Sequence, residues 1–178
     1  MDSSLAGRLV HGLAKAAAVC GGCVLLAATV ITVISIIGRV LVPVGLRPIP
    51  GDFEMMQSAV LFAVFAFLPW CHLERGHAVV AIVTDAFPVR LGAFAEFVWD
   101  LVMLVAAIFL AWRLWAGLLD KYGNGEATFI LRLPLWVSYS GGLIGALAFV
   151  AVAGYCVVRS GRNILSPVPT KPVSGAGE

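Results

Sequence analysis

The stretch GDFEMMQSAVLFAVFAFLPWCHLERGH, residues 51–77, decides how this chain folds. Two acids, Asp52 and Glu54, precede an uncharged apolar segment from Met55 to Cys71, and a cluster of charged and histidine residues closes it at His72 to His77. The segment after it, AVVAIVTDAFP at 78–88, is apolar on one side only. A hydrophobic run bracketed by charge, then a one-sided run, reads as a membrane span turning into a helix lying on the bilayer surface. At helical spacing Glu74, His77, Ala81 and Asp85 share one stripe, and Val79, Val80, Val83 and Phe87 another. A surface helix is expected over about 74–87.

The rest of the chain repeats the membrane theme. It has 178 residues, 61% hydrophobic and 12% charged, whereas a soluble domain carries about 25% charged residues. So few charges cannot cover a soluble surface, and the chain reads as an all-α integral membrane protein. A net charge of +2 is too small to argue for nucleic acid. Crossing the hydrocarbon takes roughly 20 apolar residues, and four such stretches occur, at about 16–38, 54–71, 92–115 and 133–158. The whole chain, 1–178, is expected to form one membrane domain, with a disordered tail over about 164–178.

The first run ends at Arg39, where a signal peptide would instead show a small-residue cleavage site, so it reads as a retained span. Pro43, Gly45, Pro48, Pro50 and Gly51 then prevent a continuous helix. Pro69 and the charges after it end the second span. Between Asp100 and Arg113 lie only about a dozen uncharged residues, roughly 18 Å of helix, so the third span must run past one or both charges. Trp99, Trp112 and Trp115 stand where interface aromatics would. In the fourth run Gly141 and Gly145 give the spacing that permits close helix approach.

With the N-terminus cytoplasmic, Arg8, Lys15, Arg75, Arg90, Arg159, Arg162 and Lys171 lie inside, against Arg39, Arg47, Arg113, Lys121 and Arg132 outside. That bias favours both termini in the cytoplasm.

Chemistry-bearing patterns are sparse. Arg39 and Glu54 end the first span and begin the second, so they reach the same membrane face, either as an ion pair or as separate boundary charges. His72 and His77 are five apart with no third ligand, which reads as solvated or capping histidines rather than a metal site. No histidine falls within the expected spans, so axial haem ligation is not available. Cys20-Gly21-Gly22-Cys23 is the one string with enzyme-like spacing, but it lies inside an apolar span, which disfavours a reactive thiol. Glu96 and Asp100 share a helix face, and pairing with Arg75, Arg90 or a partner chain is the expected use of them. Neither a catalytic residue nor a metal, substrate or cofactor site is expected.

In order and spacing Arg39, Glu54, Gly76-His77, Phe87-Pro88 and Leu133-Pro134-Leu135-Trp136 resemble the small membrane subunit, DctQ-type, of tripartite ATP-independent periplasmic (TRAP) transporters. The resemblance covers about residues 20–158. One departure is Ala81, where that family often has an acid four residues after the histidine; Asp85 follows one turn later.

The resemblance implies a non-enzymatic scaffold in the bacterial inner membrane. Its partners would be membrane lipid, a large permease subunit that moves an organic acid with sodium, and a periplasmic binding protein that the small subunit helps to dock. It also implies structural or interface roles for Arg39, Glu54, Gly76, His77, Asp85, Pro88 and Trp136. The alternative is a four-span membrane thiol oxidoreductase, which needs cysteine pairs in its outward connections; neither connection here contains one.

Overall fold

The computed structural model of the chain describes residues 5–74 and 89–165. Within them lie four helices: α1 (Leu5–Val40), α2 (Asp52–Leu73), α3 (Val89–Asn124) and α4 (Leu135–Leu165). Each is long and apolar enough to cross a membrane. The surface helix expected over 74–87 and the tail beyond 165 lie outside the described residues, as do Gly76, His77, Asp85 and Pro88.

The helices outrun the apolar stretches that announce them. α1 and α3 each have 36 residues, about 54 Å at 1.5 Å per residue, against roughly 30 Å of hydrocarbon. Residues such as Gly7 and Arg8, Asp120 and Lys121, and Arg159 therefore continue the backbone hydrogen-bond ladder past the apolar core. α2 also passes its proline. Pro69 is fully buried and the helix runs a further turn to Leu73, so the span ends slightly later than its proline suggested. The first connection breaks as the prolines require, through a short 3-10 turn at Val42–Val44.

The helices stand in a row, α1 against α2, α2 against α4, and α4 against α3; α1 touches α4 only lightly and does not meet α3. α4 is the most enclosed of the four. Its glycines set the spacing to α2. A Cβ on Gly145 would fall 2.8 Å from the carbonyl carbon of Phe65, so the two backbones touch there, while Gly141 lies against the Phe62 ring. In a membrane, where apolar burial gives little drive, such close contact is a main source of helix association.

Three small clusters fill the contacts. Ala14, Leu73, Val152 and Cys156 join α1, α2 and α4 near the chain's ends. Ala111, Leu114, Leu143 and Ala146 join α3 to α4 at mid-height, and Ala107, Phe149 and Ala153 join them lower down.

This pairing also fixes levels along the helices. Arg113, counted above with the outer charges, is level with about residue 145 of α4, ten residues from its start, and Trp112 and Trp115 lie within a turn of that level. All three are exposed on the outer flank of α3.

Candidate functional site

Polar side chains gather at the two ends of the row. At the end holding both α-hairpin connections, Ser35 is fully buried in the last turns of α1 and donates to Asp52 Oδ2 at 2.6 Å. Arg39, one turn on, reaches the same oxygen at 3.4 Å. The cation that closes the first hairpin therefore meets Asp52 rather than Glu54. Helical phase accounts for this. Asp52 and Glu54 are about 200° apart around α2, so one carboxylate faces α1 and the other faces away.

Glu54 grips the second connection. Its two carboxylate oxygens accept the backbone N–H groups of Ile130 and Leu131 at 2.8 and 3.0 Å. The gripped loop is itself folded. Thr128 and Leu133 exchange hydrogen bonds, the Leu135 N–H donates to the Glu126 carbonyl, and Ala127 bridges Pro134. Lys121 anchors its start on Glu126 at 2.8 Å. Leu131 then lies over Gly51, whose φ of +77° and lack of a Cβ are both needed; a Cβ there would overlap the leucine side chain at 2.3 Å. Trp136 stacks edge-on with Tyr122 at 6.0 Å, tying the start of α4 to the end of α3. The outcome is one joined surface of two connections, from which Phe129 projects 99% exposed, with Phe53 and Ile130 also exposed.

At the opposite end a buried polar knot links three helices. Asp100 of α3 accepts a hydrogen bond from Ser160 of α4, and its other oxygen lies 3.7 Å from Nε2 of His72 in the last turn of α2. His72 is 3% exposed and packs edge-on against Phe149. It is thus buried inside a helix long enough to span rather than in a solvated turn, and with His11 in α1 two histidines fall within such helices, where none was expected. Arg75 and the side chain of Arg90, the expected partners of Asp100, lie outside what is described. Nearby His11 faces Glu74 at 3.7 Å and stacks on Trp70.

Sequence reasoning singled out Arg39, Glu54 and Trp136, and the structure brings these three to one end. It missed Ser35, Asp52 and Ser160. A serine inside an apolar run one turn before Arg39, and an acid two residues before Glu54, were the available signals. Cys20 and Cys23 are free and exposed on α1, about 17 to 20 residues before it ends at the first connection.

The family model for tripartite ATP-independent periplasmic transporters, DctQ component, matches residues 28–163, which takes in part of α1 and nearly all of α2 to α4. The chain belongs to the DctQ family. As a DctQ component it is a multi-pass membrane subunit of a TRAP transporter, from a family of transporter components rather than of enzymes. No curated protein and no solved structure matches the chain. Of the residues in which the DctQ resemblance was read, Arg39, Glu54 and the Leu133–Trp136 string all serve the joined hairpin surface.

Proposed function

We propose that this DctQ subunit is the scaffold of a sodium-coupled, binding-protein-dependent transporter for organic acids. Its spans brace the large permease subunit, and its joined hairpin surface is periplasmic and helps to dock the binding protein. Both termini are then cytoplasmic, in the inner membrane. The observation that carries this reading is the grip of Glu54 on Ile130 and Leu131, which fixes two connections into one surface and holds Phe129 clear of it. A hydrogen-bonded loop that presents an aromatic side chain suits protein recognition, since its backbone loses little freedom on binding.

Reconstitution tests it. The chain, the large permease subunit and the binding protein, placed together in liposomes, should take up the organic acid under a sodium gradient, and the chain alone should move none. Phe129→Ala should weaken uptake at low binding-protein concentration while leaving the two membrane subunits associated. Sodium-driven flux through the chain alone, or uptake that is indifferent to Phe129, refutes the respective part of the proposal.

A further inference from the structure

Residues 16–38, 55–71 and 133–158 contain no Asp, Glu, Lys or Arg, so the middles of α1, α2 and α4 are neutral. Between Asp100 and Asp120 the same is true of α3 but for one residue, Arg113. Its neighbours Ala111 and Leu114 pack on Leu143 and Ala146, which puts Arg113 level with about residue 145 of α4. That is ten residues from Leu135 and thirteen from Val158, or about 15 and 20 Å along the helix. An arginine can snorkel over part of such a distance but not all of it.

Arg113 is exposed, and among the described residues it makes no hydrogen bond or ion pair. With Phe65, Leu110, Gly117, Asp120 and Tyr139 it lines an open cleft on the α3 side of the row. The acid in that cleft does not serve it. Asp120 is seven residues, about 10 Å, further along the helix, and is engaged by Asn124 and Lys121. A charge left against lipid at this depth is among the most unfavourable placements a span can carry.

We infer that Arg113 marks the face of α3 that docks on a transmembrane helix of the large permease subunit, and that a carboxylate on that helix is its counter-charge. The inference rests on the scaffold reading above. A second copy of this chain cannot supply the acid, because its own mid-span levels are neutral. Lipid phosphate lies too far away along the bilayer normal. The surrounding side chains suit a protein partner: Phe109, Trp112 and Trp115 are exposed beside Arg113, and tryptophan and arginine are enriched at the centres of interfaces.

The test is co-purification of the chain with its large permease subunit, combined with a photo-crosslinking residue at Ala116 in the cleft. Arg113→Met and Arg113→Glu should recover about tenfold less large subunit, or lower still, as expected when one member of a desolvated charge pair is removed. Arg113→Lys should retain much of the association, and the probe at Ala116 should crosslink to the large subunit. Full recovery with Arg113→Met overturns the inference, as does crosslinking only to lipid or to a second copy. If Arg113→Met lowers the amount of chain in the membrane, the crosslink in the otherwise unaltered chain decides alone. Failure of the wild-type chain to recover the large subunit sinks the scaffold reading; normal wild-type recovery with an unaffected Arg113→Met sinks only the role given to Arg113.

Discussion

Gly145→Ala adds one methyl group at the point where α2 and α4 touch. The new Cβ would stand 2.8 Å from the carbonyl carbon and Cβ of Phe65 and 3.0 Å from its carbonyl oxygen. Real Cβ contacts do not come so close, and backbone atoms cannot rotate away, so the helices must separate. Overpacking of this kind costs about 1–3 kcal/mol. Alanine also stabilises a helix relative to glycine by about 1 kcal/mol, which offsets part of the loss. Gly154→Ala supplies the reference. It lies in the same helix with nothing within 4 Å of its added Cβ, so it gains the propensity term without the clash. The difference between the two variants cancels propensity and isolates the contact, and should be about 1–3 kcal/mol. Unfolding in detergent micelles followed by circular dichroism measures it. If Gly145→Ala proves as stable as Gly154→Ala, the α2–α4 contact is not where the row is held.

Glu54→Gln removes one acceptor from the pair N–H···carboxylate grip, and hydrogen exchange at the Ile130 and Leu131 amides should quicken while the amides of α4 stay protected; unchanged exchange at 130 and 131 removes the grip from the account. At the first hairpin, Ser35→Ala should lower the melting temperature more than Arg39→Ala, because the serine is fully buried while the arginine side chain is 65% exposed and exposed ion pairs contribute little. The reverse order would show that the ion pair, not the buried hydroxyl, holds Asp52. Ser160→Ala takes a donor from buried Asp100 and should cost about 1–3 kcal/mol, a loss that the same unfolding measurement would see and that Ser138→Ala, at a half-buried hydroxyl pair, should not equal.

Much of the fold was legible because a membrane span announces itself by composition. Three uncharged runs and a fourth apolar run interrupted by charges gave four helices, and the Pro43–Pro50 cluster marked the break between the first two. The helix ends were not legible, since backbone hydrogen bonding continues wherever neighbouring turns support it, past Arg8, Arg159 and Arg162. At the site, sequence order put Arg39 and Glu54 at one membrane face but could not tell which acid faces α1. That choice turns on helical phase, and Asp52 wins it. His72 misled for a related reason. In the sequence it is grouped with Glu74, Arg75 and His77, but in α2 it occupies an inward position beside Pro69 and Leu73, where Asp100 from a distant part of the chain meets it. Such partners, 28 residues apart in the sequence, leave no local trace.

The row arrangement supports the proposed bracing role over a conducting one. A solute pathway through a helical bundle needs helices on all sides of a polar-lined interior. Among the described residues α1 and α3 do not meet, so the four helices enclose no interior between them, and apart from Arg113 the charged groups sit toward the two ends, where connections and termini are fastened. The flanks instead present long apolar faces, Val30, Val33 and Ile37 on α1 and Val105, Phe109 and Trp112 on α3. A row one helix thick, stiffened at both ends and apolar on its sides, can resist bending of a larger neighbour laid against it. On the proposed reading, Arg113 selects which flank that neighbour takes, because among the described residues it is the mid-level cation of the row and it lies on the α3 side.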